Sequence, residues 1–429
     1  MRLARSFAAA VLIMILTAGC GGRTPSSVLT FYEESAEDAV PASPIPEAGP
    51  EESETEESAA AGLEASEASL AAEEPHTAAD PADVNILSSE EQNFRYGLLR
   101  DEEKLIYREL VSYIAERASV FSVYAEDSAT IENALRAVCD DHPEFFWLSG
   151  SASIYGYQGA GMKEITLDFS IEAEAIESIT ASMEQTVEEY LSSLPENASE
   201  YEKVKAAYDF IIRTTDYKLN AYQGQNIVSV LVFHESVCAG YAKAFKYLLD
   251  KAGVWCAYMT GNVTRDGITE AHAWNMVRID GTEAYVDITW GDPTYEGDVF
   301  DARIPAVTYD YFCITTSDMV RTLHVPDEYY ELPDCSSRAC DYYVVNGWYY
   351  EECDEELVRR RMQEAIDQNI NEIHFKFASF EAYSEASAAI FDGDILYEAL
   401  QQRMRWDGTQ SITYIPFTSD GLCTIAIYW

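Results

Sequence analysis

The sequence predicts an α+β protein: a helix bearing a cysteine packed on an antiparallel sheet, with a helical region before it and a small α+β domain after it. Three observations predict this. After Cys238, apolar residues fall at Tyr241, Ala244, Phe245, Leu248 and Leu249, the spacing of one helical face, and Gly253 follows as a stop. Residues 271–279 and 283–290 read as strands joined by Asp280-Gly281, a two-residue hairpin signal. Beyond about residue 325, helix and strand patterns mix rather than alternate.

Residues 1–20 read as an export signal. Arg2 and Arg5 precede an apolar run over 7–16, and Thr17-Ala18-Gly19-Cys20 follows. The small residues before Cys20 resemble a bacterial lipobox, which implies cleavage there and a lipid on Cys20, with Thr17 standing where a branched aliphatic residue is usual. The expected location is the extracytoplasmic face of the cell membrane, held by that lipid. Residues 24–94 contain no Lys or Arg and are built from Glu, Ala, Ser and Pro. Such a composition buries too little apolar surface to offset its ordering entropy, so 21–87 are expected to be a disordered acidic linker. A flexible coil of that length spans roughly 45–50 Å.

Residues 88–198 are expected to be a helical region. Leu105, Ile106, Leu110 and Ile114 share a helical face, as do Ile131, Leu135 and Val138. Residues 141–148 (DHPEFFWL) form an aromatic-rich turn, most simply a hydrophobic plug, with Phe146 and Trp147 also open to a substrate-binding reading. Residues 153–157 and 164–169 read as a short strand pair, and 172–193 as a long helix ending before Pro195. A catalytic domain is expected over 199–325, opening on a helix with Val204, Ala207, Tyr208 and Ile211 on one face. In the final domain, 326–429, Asn346-Gly347 is a second hairpin signal. Helices are expected over 355–368, 380–391 and 394–405, and strands over 372–377, 411–417 and 422–428.

The chemistry concentrates in 236–293. Cys238 opens its helix, where unpaired N–H groups and the macrodipole favour the thiolate. If Asp280-Gly281 forms a two-residue turn, Ile279 pairs with Thr282, Trp274 lies opposite Asp287, and His272 lies opposite Thr289. His272 and Asp287 are then diagonal neighbours on one face, within side-chain reach. A three-residue loop would put them on opposite faces. Trp274 shares that face and could cover the thiolate, whereas Asn275 points away and reads as structural. His234 could compete as a base, but no carboxylate stands at a defined spacing from it.

The blocks VCAGYAKAF, HAWN and VDITWGDP resemble the transglutaminase-like superfamily, whose papain-like cores use Cys, His and Asp in that chain order. The resemblance implies a Cys238 nucleophile, His272 as general base and acid, and Asp287 as the orienter of the imidazole. A papain-type protease has the same Cys-then-His order, but its His lies about 130 residues or more downstream. Here the gap is 272 − 238 = 34 residues, which disfavours that reading. Gln223, Gln225 and Asn226, in the loop before the cysteine, are candidate oxyanion donors beside the Cys238 N–H, and Gln225 is preferred.

Nine cysteines occur in the chain. Cys256 and Cys139 read as core, while Cys335, Cys340 and Cys353 are candidates for an extracellular disulfide. No His completes a zinc spacing among them, and neither metal nor cofactor is expected. A net charge of −47 argues against nucleic acid as a partner. The expected function is a surface-anchored cysteine enzyme acting on amide bonds, a peptidase or amidase rather than a cross-linking acyltransferase. Its substrate would be protein or cell-wall peptide, and the chain is expected to act as a monomer. The alternative is a binding lipoprotein that keeps the fold without the activity.

Overall fold

The computed structural model describes residues 30–34, 93–157, 161–265, 267–293, 305–328, 330–393, 395–396, 398–399 and 414–429. The export signal and Cys20 lie outside these residues, as does most of the linker. Within the linker, however, Thr30–Glu34 forms a strand, β1. Its TFYEE sequence carries three β-favouring residues, and this short run is the correction to a linker expected to be disordered throughout.

The N-terminal region is not purely helical. It contains α1 (Phe94–Leu98), α2 (Asp101–Ala115), β2 (Val120–Tyr124), α3 (Ser128–Asp141), β3 (Leu148–Tyr157), β4 (Met162–Phe169) and α4 (Ala173–Ser193). The strands make a four-stranded sheet in the order β1-β3-β4-β2, with β1 parallel to β3 and the rest antiparallel. The β3–β4 pair is the expected one, whereas β2 has no counterpart among the strands expected from the sequence. Its VFSVY run is only five residues long between two strongly periodic helices, too short for its alternation to stand out.

The central region begins with α5 (Glu200–Thr214), entered through a capping box between Ser199 and Glu202. The two-residue strands β5 (Asp216–Tyr217) and β6 (Glu235–Ser236) bracket α6 (Ile227–Leu231). Next comes α7 (Cys238–Ala252), which ends at Gly253 with φ +74. Then follow β7 (Cys256–Arg265), β8 (Ile268–Ile279), β9 (Thr282–Val286), β10 (Phe312–Ile314), α8 (Thr316–Arg321) and β11 (His324–Pro326). They form a fully antiparallel sheet ordered β10-β9-β8-β7-β11.

Helix α7 is the centre of the molecule. Tyr241, Ala244, Phe245, Leu248 and Leu249 are completely buried between α5, α6 and the β7–β8 face. Burying each such large side chain contributes about 1.5–3 kcal/mol, so the helix is held by tertiary packing more than by its own propensity. The hairpin has the expected register, Ile279 opposite Thr282, because Asp280 and Gly281 both take positive φ (49 and 79) as a type I′ turn requires.

The C-terminal domain contains α9 (Tyr342–Val345), β12 (Tyr349–Tyr350), α10 (Glu355–Asp367), β13 (Glu372–Phe377), α11 (Phe380–Ser387) running into a π-helical turn at Ala388–Asp392, β14 (Ile415–Ser419) and β15 (Thr424–Tyr428). Its sheet order is β12-β13-β15-β14. Asn346-Gly347 does not make a hairpin. It terminates the short helix α9, with Gly347 at φ +73, and β12 pairs with β13 instead. The domain is locked to α8 by buried charges: Lys376 lies 2.7 Å from Asp341 and 3.6 Å from Asp318, and Arg338 donates to Asp318 at 3.1 Å.

All eight cysteines among the described residues are free thiols. The disulfide expected among Cys335, Cys340 and Cys353 is therefore absent there. Cys335 is turned onto Met276 of β8 (Sγ to Sδ 3.7 Å), and Cys340 is packed into the main core.

Candidate active site

Cys238 occupies the first helical position of α7. The residue before it, Val237, has no side-chain oxygen to cap the helix, so the positive end of the dipole is directed at the sulfur's surroundings rather than at a cap. Cys238 is 5% exposed and packs with Ala239, Ala242, Tyr258 on β7 and Ala273 on β8, the residue next to His272. The helix tip thus sits against the strand that carries the histidine. Asn275, one inward-facing step further along β8, donates to the Ala242 carbonyl at 2.9 Å and to Ala257 at 3.2 Å. It clamps α7 to the sheet, the structural role its position suggested.

His272 and Asp287 meet across the hairpin. His272 Nε2 lies 2.7 Å from Asp287 Oδ2, and both side chains are buried. The other carboxylate oxygen, Oδ1, accepts the Trp290 backbone N–H at 3.1 Å. Burial pushes the Asp287 carboxyl up. The charge of a protonated His272 and the hydrogen bonds from His272 and His324 outweigh this and hold it well below the usual carboxylate range. An ionised carboxylate can only accept, so His272 carries its proton on Nε2 and Nδ1 is its basic nitrogen. Trp274 stacks on His272 (centroids 6.2 Å, 27°) and Trp290 lies against it at 5.5 Å.

His324 was not foreseen. Its Nε2 is 3.1 Å from the same Asp287 Oδ2, and its Nδ1 is 2.9 Å from Thr322 Oγ1. It lies 37 residues beyond Asp287, in a three-residue edge strand with no spacing or composition signal, so only the sheet topology reveals it. Among the described residues, His272, Asp287 and His324 are also the group whose potential metal-ligating atoms lie within 4.8 Å of one another. Here the hydrogen bonds between them already account for that proximity.

The loop amides separate clearly. Gln223 donates to the Ser170 carbonyl at 3.1 Å, and Asn226 caps α6 while donating to Phe146. Gln225 is exposed and lines a cleft of about 130 Å³ with Cys139, His142, Phe146 and Lys243. The walls of that cleft do not include Cys238, His272 or Asp287. His234 is exposed at φ +57, with no part in the His272–Asp287 network.

Residues 188–290 match the family model of the transglutaminase-like superfamily. The core is transglutaminase-like. Among curated proteins, this chain is similar to kyphoscoliosis peptidase of Mus musculus, 25% identical over 195 residues. The human kyphoscoliosis peptidase is 24% identical over 191 residues. Both alignments cover 41% of this chain and 29% of the relative, so the chain spans under a third of the length of the curated relatives it matches. Among solved structures, the crystal structure of a TGase overlaps 43% of this chain and 54% of its own, with 17% identity and a TM-score of 0.25.

Proposed function

We propose that the transglutaminase-like core is a working thiol enzyme that acts on amide bonds through a thioester on Cys238. The observation that carries this reading is the buried 2.7 Å contact between His272 Nε2 and Asp287 Oδ2, on a strand packed against the helix tip that bears the cysteine. His272 Nδ1 takes the thiol proton, and the thiolate adds to the carbonyl carbon to give a tetrahedral oxyanion. The uncapped first N–H groups of α7 are the donors for that oxyanion; Gln225 is the loop amide not already committed to the backbone, but the cleft it lines does not include Cys238. The imidazolium returns its proton to the leaving nitrogen as the C–N bond breaks, which leaves the thioester. Water then reverses the sequence in a peptidase or amidase, whereas an amine in its place gives a cross-linking transferase.

Hydrolysis is the reading we favour, with protein or cell-wall peptide as substrate. A lipid on Cys20 would hold the enzyme at the outer face of the cell membrane, within reach of both. Incubating the full chain with an activated acyl donor and following Cys238 by mass spectrometry tests the thioester. Wild type should acylate and Cys238→Ala should not, and adding water or amine as acceptor separates hydrolase from transferase. A wild-type protein that never acylates would leave the alternative, a binding lipoprotein on the same fold.

A further inference from the structure

Asp287 is held from three directions, and the transglutaminase-like chemistry uses only one of them. Its Oδ2 meets His272 from β8 at 2.7 Å and His324 from β11 at 3.1 Å, while its Oδ1 meets the Trp290 N–H. His324 is completely buried, so this contact was made at the cost of taking an imidazole out of water. The ring is fixed on every side. Thr322 Oγ1 stands at its Nδ1, Trp290 packs at 4.8 Å and 64°, and Trp274 meets it edge-on at 5.3 Å and 86°. Those same indoles contact His272, so one aromatic enclosure holds both imidazoles.

The fold supports the placement. β11 pairs with β7 in the register His324 opposite Val263 and Pro326 opposite Gly261. A Cβ at Gly261 would collide with the Val325 carbonyl and fall 2.7 Å from the Trp274 ring, so β11 can approach this closely only over a glycine.

We propose that His324 is a positioning residue: its Nε2–H fixes the Asp287 carboxylate so that Oδ2 is presented to His272 in one orientation. This rests on the reading of Cys238, His272 and Asp287 as a working site. The torsion about Cβ–Cγ of a carboxylate is broad and two-fold, and the Trp290 N–H restrains it only through Oδ1. His324 adds a second donor to Oδ2 from a separate element, β11, so that oxygen is held between two imidazoles and does not follow His272 alone. Burial lowers the affinity of His324 for a second proton, even though the hydrogen bond and charge of Asp287 oppose this. His324 therefore acts as a dipole and leaves the carboxylate's charge to His272. The other titratable groups facing the pair are Tyr208 and Tyr311, both pushed far up by burial and so neutral, with Arg265 behind Trp290 at 5.9 Å from its ring.

The test is the rate of Cys238 alkylation by iodoacetamide between pH 4 and 9, read on the Cys238 peptide by mass spectrometry in the full chain. Wild type, His324→Phe and His324→Gln are compared. The Phe variant should lose roughly 10–100-fold, by analogy with the loss seen when a hydrogen-bond partner behind a metal ligand is removed. Its acid limb should also move to higher pH, because an imidazolium backed by a less well-held carboxylate stabilises the Cys238 thiolate less. Gln places an N–H near the position of Nε2 and should restore most of the rate and the limb. Phe and Gln variants equally impaired would reduce His324 to packing, and a Phe profile matching wild type would remove it altogether.

Wild type alone reports on the underlying reading. A Cys238 that titrates near the ordinary 8.5 of a thiol and ignores His272→Ala would sink both. Should the Phe variant not fold, the ¹⁵N shifts of wild-type His324 decide. They should show one neutral tautomer protonated on Nε2, and an imidazole titrating near about 6.5 like an exposed one would overturn the assignment.

Discussion

Asn275 Nδ2 donates to the carbonyl of Ala242 at 2.9 Å, and this single bond joins the helix carrying Cys238 to the strand carrying His272. Its neighbours on the same amide, Ala257 O at 3.2 Å and Cys256 Sγ at 3.5 Å, belong to β7, so one side chain ties three elements together. Asn275→Ala leaves buried acceptors unmet and should cost about 1–3 kcal/mol in urea unfolding. Iodoacetamide labelling of Cys238 should slow as well, because the helix tip is no longer held in place. Unchanged labelling in a destabilised variant would separate the clamp from the site.

Neutralising the orienting carboxylate is the sharpest test of the proposed chemistry. Asp287→Asn keeps the shape but removes the charge that fixes a proton on His272 Nε2. Thioester formation should fall on the order of 10⁴-fold, as when the carboxylate of a serine triad is replaced by its amide. Single-turnover acylation with equal substrate binding is the measurement. A loss below tenfold would show that Asp287 is a structural ligand of the fold and no more.

Asp292 predicts a pH effect of the opposite kind. It is half-buried beside the Tyr241 hydroxyl at 2.7 Å, and burial, with the nearby Asp216, pushes its carboxyl up to about 6 although the tyrosine opposes this. A folded pKa above the unfolded value of about 3.9 means that ionisation costs stability, and the loss develops as pH rises from about 4 through about 6. Asp292→Asn should therefore stabilise by about 1 kcal/mol at pH 8, after allowance for solvent screening, and by nothing at pH 4. Melting temperatures at the two pH values decide it, and a gain that is larger at pH 4 would reverse the sign.

Gly240, in the turn after the cysteine, is required by what crosses it. A Cβ there would collide with Ser236 Oγ and fall 2.6 Å from the Gly224 carbonyl and 2.7 Å from Ser229 Oγ. Those groups hydrogen-bond one another, with Ser236 Oγ 3.0 Å from Gly224 O and 2.6 Å from Ser229 Oγ. Gly240→Ala should destabilise by about 1–3 kcal/mol despite the better helix propensity of alanine, because backbone must move. It should also displace the loop that carries Gln225, which a change in acylation rate without change in Cys238 labelling would report.

What the residues disclosed follows a physical division. The hairpin was legible because Asp280-Gly281 takes a turn that few other pairs can, and that turn fixes every cross-strand partner behind it. α7 was legible from its apolar period and its glycine stop. The same dipeptide logic failed at Asn346-Gly347, where four helical residues precede the pair and its positive φ closes a helix instead. β1 and β2 escaped notice because five-residue strands gain their stability from neighbours far away in sequence. His324 is the limiting case, since its significance lies entirely in a contact made across 37 residues of chain.

The edge position of β11 has a practical consequence for anyone preparing this protein. The family match stops at residue 290, yet β10 and β11, which complete the sheet, and the donor behind Asp287 all come from the stretch 312–326. A fragment trimmed to the recognised homology would expose two raw strand edges, at β9 and β7, and lose one of the three bonds on its buried carboxylate. A fragment that keeps the sheet whole must run at least through Pro326, and even that truncation would take Lys376 and Arg338 away from Asp318 and leave it Arg321 of α8 itself.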